Sequence, residues 1–102
     1  MNKAYGYVYV IRMGDTDWYK IGRSRNPATR LRELQTGNPL TLRLVAAGKL
    51  SCPAEVERQL HRHYQDEDKS AAAREWFRLT EHQAESLAYR LDREERRRHK
   101  KI

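Results

Sequence analysis

The chain has 102 residues, 38% of them hydrophobic, which limits it to one domain with a single modest core. Lys and Arg outnumber Asp and Glu by 21 to 14, and the resulting formal charge of +7 favours polyanionic partners, nucleic acid first. A lone cysteine, Cys52, excludes an intramolecular disulfide framework, and no apolar run is long enough for a transmembrane helix.

Residues 1–4 lead straight into a strand-like segment, so no signal-peptide apolar region is expected and the expected location is cytoplasmic, with no membrane partner. Residues 5–13 are rich in Tyr, Val and Ile and predict a first strand. Tyr7, Tyr9 and Ile11 share one face of it; Val8 and Val10 share the other. Gly14-Asp15-Thr16-Asp17 has the composition of a turn, and residues 18–23 predict the returning strand of a hairpin. There Lys20 alternates with Trp18 and Gly22 on one face, opposite Tyr19 and Ile21. Asn26 is a good N-cap and Pro27 a good first helical residue. Leu31 and Leu34 give that short helix its apolar stripe, and Gly37 is a natural residue just past its end.

Residues 40–50, with Leu42, Leu44, Val45 and Ala46, predict a third strand. Pro53 opens a second helix, capped by Ser51 or Cys52, that buries Val56, Leu60 and Tyr64 at four-residue steps. Residues 66–74 read as a polar loop. Glu75-Trp76-Phe77-Arg78-Leu79 reads as a short strand or a docking segment. Thr80 and Gln83 form a capping box for a last helix whose core face is Ala84, Leu87, Ala88 and Leu91. Past Leu91 the stripe stops. The expected organisation is one domain over residues 1–92 and a basic helix end or tail over residues 93–102. An opening hairpin followed by mixed helices and strands argues for an α+β fold: a small, mainly antiparallel, three-stranded sheet flanked by helices.

Several side chains suit phosphodiester chemistry. Tyr7 and Tyr9, taken alone, are ordinary aromatic residues of a half-buried strand. Beside them, Gly22 permits a close approach and Lys20 brings a cation. Arg30 lies at the edge of its helix stripe and can point back to the hairpin, where its fork of donors suits a phosphate gaining charge. Arg32 and Arg43 are its competitors, and a solvated helix arginine is the plain reading. Glu57 and His61 are four apart and share a helix face. A carboxylate there suits Mg²⁺ held largely through water, with Glu55 as rival and a surface pair as the plain reading. Cys52, His61, His63 and His82 match no zinc spacing, and there is no Gly-rich phosphate loop. Trp76 and Phe77 read as core closure, and the basic run from Arg96 to Lys101 as either a phosphate contact or a solvated helix end.

Together these elements resemble the GIY-YIG nuclease superfamily over residues 6–79. Tyr7-Val8-Tyr9 stands at the first motif and Lys20-Ile21-Gly22 at the second, with Lys20 in place of the second tyrosine. The phrases Tyr19-Lys20-Ile21-Gly22-Arg23-Ser24, Glu57-Arg58-Gln59-Leu60-His61 and Glu75-Trp76-Phe77 resemble a phage-associated branch of it. No counterpart is assigned to the asparagine that many members carry late in the domain. The resemblance implies a DNA endonuclease dependent on Mg²⁺ or Mn²⁺, RNA remaining open as a substrate, acting as a monomer or weak homodimer. It implies that Tyr9, helped by Tyr7, activates a water, and that Arg30 stabilises the reacting phosphate. Lys20 and Arg23 would position the backbone, Glu57 would hold the metal, and His61 would assist proton transfer. Two other functions fit the residues: a nuclease-fold module that binds nucleic acid without cutting it, and an interaction subunit whose basic C-terminal helix docks an acidic protein.

Overall fold

The structure is a computed structural model that describes residues 5–65 and 75–99, the side chains of residues 98 and 99 excepted. The expected polar loop at residues 66–74, the N-terminal residues 1–4 and the last residues of the basic tail, 100–102, lie outside the described residues. The elements run β1 (Gly6–Met13), β2 (Trp18–Ser24), α1 (Pro27–Gln35), β3 (Leu42–Leu50), α2 (Pro53–His63), β4 (Trp76–Arg78) and α3 (Glu81–His99). The fold is α+β, as expected. The expected three strands are joined by a fourth: the Trp76–Arg78 segment pairs with β2 and extends the sheet to the order β3-β1-β2-β4, antiparallel throughout.

Strand alternation divides the core into two layers. Val8, Val10, Tyr19, Ile21 and Phe77 point to one side, where they pack with Leu60 of α2 and with Leu87 and Leu91 of α3. Tyr9, Ile11 and Leu42 point to the other, against Leu31 and Leu34 of α1 and the half-buried Trp76. The sheet is thus covered by α1 on one face and by α2 and α3 on the other. The third strand forms where expected, as the edge strand β3, with one irregularity. Its pairing with β1 shifts register between Val10 and Ile11, leaving Val45 as the extra residue, and Leu44 and Val45 are exposed.

The helix ends follow their local chemistry. The Thr29 N–H donates to Asn26 Oδ1 at 3.1 Å, and Gly37 takes φ +80° just past α1. Thr80 and Gln83 exchange the two bonds of a capping box, 2.9 and 3.1 Å. Cys52 is the N-cap of α2 but makes no side-chain cap bond, so the helix start rests on Pro53. Gly48 lets α3 sit close on β3: a Cβ there would stand 2.8 Å from the Leu91 carbonyl oxygen. Helix α3 continues past Leu91 on an exposed, charged turn, where Asp92 and Arg96 pair at 3.0 Å.

Candidate active site

The hairpin, α1, the first turns of α2 and the start of β4 meet at one open cleft of about 480 Å³. Tyr7, Tyr9, Lys20, Gly22, Arg23, Arg30, Glu57 and Glu75 all line it. Four basic side chains (Lys20, Arg23, Arg25 and Arg30) face two carboxylates there, so the cleft keeps a positive balance suited to a phosphate.

Each member is set in place by a local cause. Tyr9 and Gly22 are register partners of the hairpin, and the Tyr9 ring lies across the glycine. A Cβ at position 22 would stand 2.5 Å from the Tyr9 hydroxyl oxygen, so the ring occupies the space that any side chain there would need. The Asn26 cap starts α1 one turn before Arg30, whose guanidinium reaches the Tyr9 hydroxyl and also bonds Glu33 Oε1 at 3.2 Å. Burial pushes the Tyr9 phenol above its ordinary range, while the hydrogen bond from Arg30 and its charge pull the other way.

Lys20 is the one buried charged side chain among the described residues. Its partner is Glu75, whose Oε2 accepts from Nζ at 2.7 Å. The ammonium also stands 5.8 Å from the Trp76 ring, its register neighbour on β4. The Lys20 hydrogen bond holds the Glu75 carboxyl below the usual carboxylate range, against the opposing effect of its partial burial. Glu57 projects from α2 and pairs with Arg23 Nε at 3.4 Å; its side chain is 17% exposed against 56% for Arg23. Glu57 and Glu75 are the two carboxylates that line the cleft.

Of the residues singled out from the sequence, Tyr7, Tyr9, Lys20, Arg23, Arg30 and Glu57 are brought together. His61 is not among the residues lining the cleft. Its Nε2 lies 2.7 Å from the Ile21 carbonyl oxygen, and because a carbonyl only accepts, that nitrogen carries the hydrogen. The ring stacks at a tilt on Phe77, 5.0 Å between centroids, so His61 ties α2 to β2. Sequence reasoning assigned Glu75 to a short strand or docking segment and to a family-like phrase, and missed it as a cleft residue. The signal that finds it is Lys20 itself: a lysine between Tyr19 and Ile21 on a central strand is buried and requires a counter-charge.

The model of the T5orf172 domain matches residues 6–92, from the first residue of β1 through most of α3. This chain belongs to the T5orf172 domain family. The matched span contains every residue named in the cleft. The T5orf172 domain is phage-associated and stands in a nuclease-like context. No curated protein and no solved structure matches the chain. Among the described residues, no helix of this T5orf172 domain is long and apolar enough to cross a membrane.

Proposed function

We propose that this chain is a metal-dependent endonuclease of GIY-YIG type that hydrolyses phosphodiester bonds of DNA. The observation that carries the reading is the gathering of Tyr9, Lys20, Arg23, Arg30 and Glu57, from four separate segments, on one open positive cleft. These are the positions at which the sequence resembles that superfamily, and the T5orf172 match over residues 6–92 agrees with a nuclease-like domain.

In this reading Arg30 bonds phosphate oxygens through its planar fork and offsets the charge they gain as the water adds. Arg23 and Arg25, both exposed at the cleft mouth, hold the flanking backbone. Tyr9 presents its hydroxyl at the reacting phosphate. In the resting cleft the carboxylates are paired internally, Glu57 with Arg23 and Glu75 with Lys20. An incoming phosphodiester offers those cations a second anionic partner.

The donor set fits a hard divalent cation. Among the described residues no group of three or more His, Cys, Asp and Glu gathers, which disfavours a closed zinc-like cage. A single carboxylate, Glu57, in a cleft open to solvent suits Mg²⁺ or Mn²⁺, which keep several waters and share substrate phosphate oxygens. When bound, such an ion supplies Lewis-acid stabilisation of phosphate and leaving-group charge.

A second reading is a module that binds nucleic acid without cutting it. Lys20 favours it, because it stands where the superfamily places a tyrosine and is buried in an ion pair. Incubation of the chain with plasmid and single-stranded DNA, with and without Mg²⁺ or Mn²⁺, separates the two. Metal-dependent product supports the nuclease; salt-sensitive binding without product supports the module.

A further inference from the structure

The cleft holds two carboxylates, and the reading above uses Glu57 alone. Among the described residues the Glu75 carboxylate is engaged through Oε2, which accepts from Lys20 at 2.7 Å, and the side chain, in the cleft lining, is 56% exposed. Lys20 is 5% exposed and held beneath Trp76, so it anchors Glu75 rather than following it. Three other candidates for taking a proton from water, His61, Glu57 and Tyr9, are committed elsewhere. The His61 Nε2–H donates to the Ile21 carbonyl, with its ring outside the cleft lining. Glu57 faces Arg23 and is the carboxylate assigned to the cation. Tyr9 lies over Gly22 against Arg30, and its burial favours the neutral phenol, which is a donor.

Resting on the nuclease reading, we propose that Glu75 is the proton acceptor for the attacking water, anchored by Lys20, and that Tyr9 stays a phenol donating a hydrogen bond to the phosphate. The water oxygen forms a bond to phosphorus while one water proton passes to a Glu75 carboxylate oxygen. The P–O ester bond breaks, its electron pair leaves with the sugar oxygen, and that oxygen takes a proton from solvent. Glu75 then returns its proton to solvent, so each cut consumes one water. Lys20 is a positioning residue in this scheme. Exchanging the second tyrosine for a lysine brings a carboxylate to the cleft, because the buried ammonium requires one. Among the described residues, the titratable groups that act on Glu75 are Lys20 of β2, Arg30 of α1, His61 of α2 and Tyr9 of β1, while Tyr5, Tyr7, Arg23, Arg25 and Glu57 share the cleft with it. Glu75 is ionised at neutral pH, and the Lys20 bond lowers its carboxyl further, which fixes the acceptor form while making it a weaker base.

The test is single-turnover cleavage of supercoiled plasmid by the whole chain with Mg²⁺ or Mn²⁺, from acid to neutral pH. It compares wild type with Glu75→Gln, Glu75→Asp, Glu75→Ala and Tyr9→Phe. Glu75→Gln keeps an oxygen for Lys20 and is expected to fold and bind DNA in EDTA as wild type does, yet cleave about 10²–10⁴-fold more slowly. The acid limb of the wild-type rate profile is expected to vanish in Glu75→Gln and persist in Tyr9→Phe. Added formate is expected to restore part of the Glu75→Ala rate, which a purely structural glutamate does not allow. If Glu75→Gln fails to fold, Glu75→Asp and formate rescue decide. Wild-type cutting with Glu75→Gln undiminished, or a folded Glu75→Ala indifferent to formate, overturns this assignment alone. A wild type that makes no product with either metal overturns it together with the nuclease reading.

Discussion

Gly22→Ala is the sharpest single perturbation of the cleft. The new methyl carbon would stand 2.5 Å from the Tyr9 hydroxyl oxygen, 2.7 Å from Cζ and 3.2 Å from Cε1. Unstrained heavy atoms sit about 3.5–4.0 Å apart, so the overlap at the hydroxyl is about an ångström or more and lessens along one edge of the ring. A flexible side chain would swing away. The Tyr9 ring is rigid, 2% exposed, and packed with Ile11 and Leu42, so relief requires the ring to leave its slot or the hairpin to spread. Overpacking of this kind costs about 1–3 kcal/mol. For a domain of this size each kcal/mol lowers the melting midpoint by roughly 4–8 °C. Urea and thermal unfolding read the loss, and plasmid cleavage is expected to fall with it because the Tyr9–Arg30 contact is broken. Tyr9→Leu in the Gly22→Ala background removes the clashing atoms. The double variant is therefore expected to be less destabilised than the sum of the singles. A Gly22→Ala chain within about 0.5 kcal/mol of wild type, or strict additivity in the cycle, would refute the crossing as described.

Three further outcomes follow from the same geometry. Asn26→Ala removes the α1 cap and is expected to cost about 1 kcal/mol by urea titration; because Arg30 lies in the next turn, phosphate affinity measured by DNA titration should also drop. Gly48→Ala sets a methyl against the Leu91 carbonyl oxygen, a backbone atom that cannot rotate away, so α3 must lift from β3 at a cost of about 1–3 kcal/mol in unfolding experiments. Stability should also bend at both ends of the pH scale. Burial raises the Tyr9 phenol above its ordinary 10.0, so the folded chain keeps a proton that the unfolded chain loses, and stability present below about pH 10 declines as pH rises through the folded value. The Lys20 bond lowers Glu75 below its ordinary 4.5, so its contribution is present above that value and is lost as pH falls through the folded one. Tyr9→Phe should flatten the alkaline limb and Glu75→Gln the acid limb of unfolding midpoints measured across pH.

Much of this arrangement was legible in the chain because it is set by local rules. Period-two alternation assigned Tyr9 and Val10 to opposite faces of β1, and the caps at Asn26 and Thr80 bracketed their helices correctly. Arg30 was legible as a residue able to turn back, since its position follows from that cap and one helical turn. What stayed hidden depends on pairs remote in sequence. The Lys20–Glu75 bond spans 55 positions, and nothing local to Glu75 announces it. Gly22 was readable as a site of close approach, but that the approaching group is the ring of Tyr9 depends on hairpin register. His61 shares a helix face with Glu57, yet one turn along α2 is enough to carry its ring onto Phe77 and the Ile21 carbonyl instead of the cleft. The exposure of Leu44 and Val45 was likewise hidden, because an apolar run on an edge strand with a bulge need not be buried.

The nuclease reading is tested most directly by incubating the chain with supercoiled plasmid and with single-stranded DNA in Mg²⁺ or Mn²⁺. EDTA, Arg30→Ala and Glu57→Ala serve as controls. Metal-dependent nicking that EDTA abolishes and both substitutions reduce by at least about 10²-fold is the predicted result. Cleavage that survives both substitutions, or salt-sensitive DNA binding with no product under either metal, would contradict it.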